Sequence, residues 1–355
     1  MTGVPPRLHP RDSGDAWVEG PDGRRFWGRY GAAGLLVHDD KAGVLLQHRA
    51  EWSHFGGTWG LPGGARHAGE SAVDGAIREA GEEAGVPADA LEIAFTSTLD
   101  LGYWSYVTVV MRAARPFEPA IGDAESLELR WVPVDEVETL PLHPGFESAW
   151  PELRSRLGER IRVVVDAANV VGSRPDGWWR DRLGANEALL VRLAELARRG
   201  IASAEFSRAE ASGTSGDFAP SSSPATSAPA GPIGRSWPSI TVIVEGKARE
   251  AELPAASTTR TPDAPDDGLV AGLLSVVPAE GSGDDTIVAT IAGMLAAPGA
   301  AGAPGAAGSP APVPAPASTI VVTADRELAT RVGALGADVR GPGWLLALLD
   351  DLAAA

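Results

Sequence analysis

A chain of 355 residues with a formal net charge of −17 at pH 7 is long enough for two domains with separate apolar interiors, and its lack of cysteine excludes disulfides, thiolate zinc sites and thiol nucleophiles together. The acidic balance disfavours extensive non-specific binding to phosphodiester backbones and to anionic membranes, because like charges repel at long range. The opening residues, MTGVPPRLHPRDSGDAW, lack the apolar core of a signal peptide, and no run of about 18 apolar residues follows, so a soluble cytoplasmic protein with no membrane partner is expected.

In chain order, GLLVHD, GVLLQHR, LEIAFTSTLD, SYVTVVMRA and ELRWVPV predict short strands, with one helix from Ser71 to Ala84 between the second and the third. This is an α+β pattern. The helix-like FESAWPELRSRL then hands over to the apolar RIRVVVD, which places a domain boundary near Gly158, with one domain over 1–157 and another over 158–355. In the second half RVVVD, ITVIVE, LLSVVPA, STIVVTA and ADVRG alternate with helical stretches such as ANEALLVRLAELARR and DRELATRVGALG. Such alternation implies an α/β domain with a mostly parallel sheet covered by helices. Two low-complexity segments, about 211–238 and 297–316, are rich in Ser, Pro, Ala and Gly and are expected as disordered insertions in surface loops of that domain.

The first-half helix carries the chemistry. At about 100° per residue, Glu79, Glu82 and Glu83 fall within one arc of it, and three crowded carboxylates call for a hard cation held by oxygen ligands, Mg2+ or Mn2+. Val73, Ala76, Ile77, Ala80 and Ala84 occupy the neighbouring arc, so the helix can anchor to a core while presenting its acids. Gly75 and Gly81 weaken it by about 1 kcal/mol each relative to alanine, a loss that packing and metal must offset. Arg78 stands one turn before Glu82 and can hold Glu82 or Glu79 in a metal-binding rotamer. An isolated glutamate cluster is usually a solvated helix face, and Glu70 alone would merely favour the helix N-terminus.

The surrounding segment GARHAGESAVDGAIREAGEEAGV overturns that bland reading. It has Gly64, five residues, Glu70, seven residues, Arg78, Glu79 and Ala80, then Glu82, Glu83, Gly85 and Val86. With LLQHRA, TWGLPGG and ELRWVPVDEV beside it, residues 27–157 resemble the Nudix hydrolase family. The resemblance implies a Nudix fold with a mixed sheet and the box helix, and a metal-dependent attack of water on phosphorus that cleaves a phosphoanhydride in a nucleoside phosphate. It implies Glu79 or Glu83 as general base, Glu82 among the metal ligands, Glu70 and Arg78 as catalytic support, and a carbonyl from Gly64, beside Gly63, as a further ligand. Arg49 is a candidate for a substrate phosphate, and Glu125 or Glu128 for an additional ligand. His54, His67 and His143, each standing singly, are left outside the site.

In the second half Asp166, Asp284, Asp285 and Asp325 each follow an apolar strand and precede a helix, positions that converge at the carboxyl edge of a parallel sheet. Singly, Asp284 and Asp325 would serve as helix N-caps. Together they can hold one or two divalent ions, with Asn169 contributing its amide and Glu245 ranking lower. SRPDGWWRDR combines Arg174, Arg180 and Arg182 with Trp178 and Trp179, a composition suited to phosphate contact and base stacking, or to a packed loop over the sheet. VVVDAANVVGSRPDGWWRDR, EGSGDDTIV and VVTADREL resemble NYN/PIN-like domains, which implies a metal-dependent ribonuclease fold. The leading expectation is thus a Nudix pyrophosphohydrolase acting on nucleotides, with an accessory nuclease-like domain. The alternative is a bifunctional RNA-processing enzyme with RNA bound at the C-terminal domain, and a third reading makes that domain a sensor. The excess of Arg over Lys, with abundant Ala, Gly and Pro, points to a GC-rich bacterial genome.

Overall fold

Among the residues that the computed structural model describes, 14–175, 177–207, 234–253, 272–296 and 317–354, the apolar runs of the first half become strands of one mixed sheet. β1 (Trp17–Glu19) and β2 (Arg25–Trp27) form a separate hairpin. β3 (Ala32–Asp39) and β4 (Gly43–Arg49) meet antiparallel only at His38–Asp39, where the Asp39 carboxylate accepts the turn N–H groups of Lys41 and Ala42. β5 (Trp59–Gly60) pairs antiparallel with β4, whereas β6 (Gly63–Ala65) pairs with the opposite end of β3, at Ala32–Gly34. β7 (Leu91–Asp100) is antiparallel to β8 (Ser105–Ala113), which runs parallel to β3; β9 (Ser126–Val132) pairs with β4. β3 and β4 therefore splay apart after their shared turn, and β6 occupies part of the gap. This fork positions the site.

Helix α1 (Ala72–Ala84) packs on β3 and β6. It begins where Ser71 accepts from the Asp74 N–H and ends at Gly85, whose left-handed φ of 62° lets the chain return Val86 N–H to the Ala80 carbonyl. Its buried stripe is Val73, Ala76, Ala80 and Ala84, with Gly75 and Glu83 also buried, whereas Ile77, which the apolar spacing places on the same arc, is only partly buried. Helix α2 (Pro144–Arg156) follows, burying Phe146, Trp150 and Leu153.

The chain divides into two compact units, Met1–Leu153 with Ala202–Ser236, and Arg154–Ile201 with Trp237–Ala355. Helix α3 (Ala167–Gly172), helix α4 (Arg182–Arg199) and β10 (Arg160–Asp166) belong to the second. The short elements β11 (Ile201–Ala202), α5 (Ala204–Ser207) and β12 (Arg235–Ser236) come next. β12 adds to the first unit's sheet: Ser236 pairs with Phe95, and Arg235 N–H donates to Thr96 Oγ1 at 3.0 Å. No period or motif in residues 202–236 signals that return. Segment 297–316, and residues 211–233 of the other low-complexity segment, lie outside the described residues.

The second unit holds a five-stranded sheet in the order β14 (Leu274–Pro278), β13 (Ser239–Val244), β10, β15 (Ala317–Val322), β16 (Asp338–Arg340), with every pairing parallel. Parallel neighbours demand crossovers, and among the described residues helices α6 (Gly283–Ala296), α7 (Arg326–Gly333) and α8 (Pro342–Ala354) lie in the later part of this unit. Val164, Ile243 and Val321 from three strands pack with Ile287 and Ile291 of α6 and Leu328 and Val332 of α7. The first strand is central, with later strands on both sides, so the order reverses at β10 and its carboxyl end faces a crevice. Among the described residues no helix is long and apolar enough to cross a membrane.

Candidate active site

Glu83 lies in the fork between β4 and β6. It is 6 % exposed, and its Oε2 accepts from Gly63 N–H of β6 at 2.9 Å and from Gln47 Nε2 of β4 at 3.3 Å. The loop before β9 closes on the same point. Ala120 N–H donates to the Ala84 carbonyl and Gly122 N–H to the Glu83 carbonyl, both at 3.0 Å; a side chain at Gly122 would run into the Glu82 carbonyl, so glycine is what permits this approach. The loop thereby brings Asp123 and Glu125 to Glu83, with one ligand oxygen from each within 4.8 Å of the others. Burial, and then Glu79, Asp123 and Glu125, push the Glu83 carboxyl well above the usual range against the opposing pull of Gly63 N–H. Four acids in this space suit a cation, and Gln47 Oε1 is buried beside them without a hydrogen-bond partner among the described residues, an acceptor fit for a bound ion or its water. The residues present therefore form an acidic group able to hold a metal.

The rest of the box forms a relay behind that group. Arg78 donates to both oxygens of Glu70 (Nε–Oε1 2.8 Å, Nη2–Oε2 3.0 Å), to Glu79 Oε1 at 2.9 Å and to the Ala65 carbonyl at 3.1 Å. Glu70 also accepts His67 N–H at 2.8 Å. Burial raises the Glu70 carboxyl, but the hydrogen bonds from Arg78 and His67 outweigh it and hold the group below its ordinary value. Glu79 moves the other way: burial raises it most, Arg78 opposes, and Glu82 and Glu70 add to the rise. Glu82 is more exposed and stands 3.9 Å from Arg78. The shared helical arc thus separates into a buried Glu83, a clamped Glu79 and an outward Glu82. Gly64 faces Glu79 so closely that a Cβ there would lie 2.7 Å from its carboxylate. The Gly64→Ala variant is accordingly expected to fold but to push the Glu79 carboxylate off its Arg78 hydrogen bond, with modestly lower thermal stability and turnover down about tenfold. Melting curves and steady-state kinetics on one preparation check this.

Of the two further acids considered from sequence, the fold brings Glu125 to the group and leaves Glu128 on β9, half-exposed and 3.9 Å from Arg130. Asp123, Gln47 and Tyr106 escaped sequence reasoning. Gln47 did leave a signal, as a polar residue inside the apolar run GVLLQHR. Tyr106 lies on β8 with its hydroxyl in the space a side chain at Gly34 would need; burial first, and Glu83 and Glu79 in addition, push it up to about 12 against the pull of Arg49. Arg49 ends β4 just past a register shift against β9 at His48/Arg49, and its Nε donates to the His54 carbonyl at 3.2 Å.

In the second unit Asp166 ends β10 and caps α3. Its Oδ2 accepts from Asn169 Nδ2 at 2.7 Å and Thr323 Oγ1 at 2.8 Å, and its Oδ1 from Asn169 N–H at 3.1 Å. Asp325 caps α7 through Glu327 and Leu328 N–H, as its position predicts. Glu245, just past β13, accepts Gly283 N–H at the start of α6. Burial raises the Asp284 carboxyl, and Asp166, Asp325 and Glu245 raise it further against Arg331, so these four acids share one electrostatic neighbourhood. Asp285 points away, ion-paired to Arg331 at 2.6 Å on the surface. Trp178 packs beside Gly172 under the Arg182 guanidinium, and Trp179 is exposed.

The first half of the chain is similar to known proteins. A family profile described as the NUDIX domain matches residues 28–153. The chain is 49 % identical over 155 residues to a putative 8-oxo-dGTP diphosphatase 3 of Mycobacterium tuberculosis, covering 41 % of this chain and 71 % of that protein. It is 40 % identical over 164 residues to a nucleoside triphosphate pyrophosphatase/Nudix hydrolase fusion protein of Bifidobacterium longum, over 44 % of this chain and 34 % of that one. Among solved structures, the Nudix hydrolase RenU of M. smegmatis is 48 % identical, with 40 % of this chain and 93 % of that one covered at a TM-score of 0.37. The chain belongs to the Nudix hydrolase family and is a hydrolase acting on phosphorus anhydrides.

Proposed function

We propose that the first unit acts as a divalent-metal-dependent pyrophosphohydrolase on nucleoside triphosphates or related nucleoside diphosphate derivatives, with the second unit as an accessory nuclease-like domain. The observation that carries the reading is the buried Glu83 joined by Asp123 and Glu125 at the end of the box helix. Glu83, Asp123 and Glu125 would hold Mg2+ or Mn2+, with Glu82 and the Gly64 carbonyl at its margin. A bound ion supplies positive charge to the diphosphate and acidifies the attacking water. Glu79, which burial raises above its ordinary value and Arg78 fixes in place, would accept a proton from the attacking water. Arg78 and Glu70 position Glu79 without touching substrate, and Arg49 meets an outer phosphate. The M. tuberculosis relative, named for 8-oxo-dGTP, favours a purine nucleoside triphosphate among the substrates. Mg2+-dependent release of phosphate and pyrophosphate from a panel of nucleoside triphosphates, nucleotide sugars and dinucleoside polyphosphates tests the reading. Absence of turnover across the panel would sink it.

A second reading, an RNA-processing enzyme with two activities, is favoured by the acids gathered around Asp284 at the carboxyl edge of the parallel sheet. Asp166, Asp284 and Asp325, with Glu245, would hold the metal, and Asn169 and Thr323 orient Asp166. On this reading Asp166→Asn abolishes Mn2+-dependent cleavage of single-stranded RNA and leaves nucleotide hydrolysis intact. Wild-type protein that neither binds nor cuts such RNA would reject it.

A further inference from the structure

The loop between β4 and β5 carries an exposed aromatic ring on strained backbone. Phe55 is the non-glycine residue with positive φ among the described residues, at 56°, and it is 46 % exposed. A bulky residue adopts the left-handed region at an energetic penalty, and an exposed ring recovers little of it through burial. The loop is nonetheless well fixed. Gly57 N–H donates to the Arg49 carbonyl at 2.9 Å, Gly56 N–H to the Ser53 carbonyl at 3.0 Å, and Thr58 Oγ1 to the Phe55 carbonyl at 2.6 Å.

Phe55 belongs to a wall of rings. It meets His54 at 4.2 Å and His143 at 4.8 Å between centroids, and His54 meets Trp17 at 5.7 Å, all edge to face. Trp17 is itself 43 % exposed. Phe55 thus offers exposed ring surface to a planar partner, whereas the Arg25 guanidinium already stands over the Trp17 ring at 5.0 Å. His143 adds a polar group of defined direction: Gly145 N–H donates to its Nδ1 at 3.1 Å, so its proton resides on Nε2. Burial, then the charge of Arg49, lowers this histidine to about 4, keeping it neutral near pH 7.

Arg49 connects the wall to the carboxylates. Its stem and the His143 Cβ flank Gly60, where a Cβ would lie 3.8 Å from the one and 3.4 Å from the other. Two residues earlier on the same strand, Gln47 Nε2 donates to Glu83 Oε2 at 3.3 Å. Aromatic wall, cation and acidic metal group therefore follow one another in the order of base, phosphates and metal in a metal-bound nucleotide.

The geometry points to the Phe55, Trp17 and His143 wall as the seat of the substrate's nucleobase, stacked on Phe55 and receiving a hydrogen bond from His143 Nε2, with Arg49 on the phosphates. This assignment rests on the reading of the site as a nucleoside phosphate hydrolase. Binding of a purine nucleoside α,β-methylene triphosphate and of inorganic tripolyphosphate should be measured by calorimetry for wild type, Phe55→Ala and Phe55→Trp. Phe55→Ala is expected to weaken the nucleotide about tenfold and leave tripolyphosphate unchanged, with Phe55→Trp retaining nucleotide affinity. Unchanged nucleotide binding in Phe55→Ala, equal losses for both ligands, or no nucleotide binding by wild type would overturn the base seat. Hydrolysis is read separately: if wild type leaves every nucleoside triphosphate intact while Phe55→Ala still selectively weakens the nucleotide, the hydrolase reading falls and the base seat stands.

Discussion

Glu83→Gln is expected to lower turnover about a thousandfold and to remove tight Mn2+ binding, while leaving the fold in place. Glutamine matches the shape of the glutamate and can still accept Gly63 N–H, but it cannot supply the negative charge shared with Asp123 and Glu125. The pH dependence of stability offers an independent check. Burial and its acidic neighbours raise the Glu83 carboxyl well above the ordinary carboxylate range, so the folded state binds a proton that the unfolded chain releases. For a raised carboxyl the contribution to stability is full below the unfolded value and is lost as pH climbs through the folded one. Metal-free wild type should therefore melt at falling temperature as pH rises from the carboxylate range toward neutrality. Glu83→Gln should show a shallower decline, and added Mn2+ should restore wild type far more than the variant. Parallel melting curves with and without metal, beside metal titrations, measure all three. Equal Mn2+ affinity in the two proteins would remove Glu83 from the metal group.

Arg78→Ala should be the most destabilising change in the box, by about 2–3 kcal/mol, with about a hundredfold loss of activity. Arg78 is 22 % exposed and Glu70 12 %, so the pair is largely shielded from water. Removing the guanidinium leaves Glu70 with His67 N–H, frees Glu79 from its clamp and orphans the Ala65 carbonyl. Lysine keeps the charge but lacks the planar fork that reaches both Glu70 oxygens, so Arg78→Lys should fall between the two. The sign with pH is opposite to that of Glu83. Glu70 is held below its ordinary value, so its contribution is present above the unfolded carboxylate range and is lost as pH falls through the folded value. Arg78→Ala should accordingly flatten the acid limb of the stability curve. Denaturant unfolding of a double-mutant cycle with Glu70→Gln isolates the coupling. Unaltered activity in Arg78→Ala would reject the positioning role.

The box helix was legible because every local signal agreed: Ser71 capping Asp74, the apolar stripe from Val73 to Ala84, and Gly85 closing the last turn. The presence of carboxylates on one arc was equally legible, yet their different fates were not. A helical wheel assigns Glu79, Glu82 and Glu83 the same neighbourhood, whereas the fork between β4 and β6 buries Glu83 and leaves Glu82 outward. Asp123 stood in no motif, since its approach depends on backbone hydrogen bonds from residues 120 and 122 to the end of α1. Glu125 and Glu128 looked equivalent for the same reason.

In the second half, strand–helix alternation was sufficient for a parallel sheet, and the apolar runs marked its strands. It could not distinguish Asp284 from Asp285, adjacent acids at one helix start of which one faces the other carboxylates and one pairs with Arg331. Sequence by itself determined the box helix, the longer strands, an acidic cluster on that helix and the family of the first half, because propensity, capping and charge on a helix act over a few residues and the box motif is local. Tertiary structure alone decided which acids come together, which strand edge β12 joins, and how Phe55 meets His143. Those outcomes depend on where chain segments distant in sequence come to rest, and on the burial that sets each group's electrostatics.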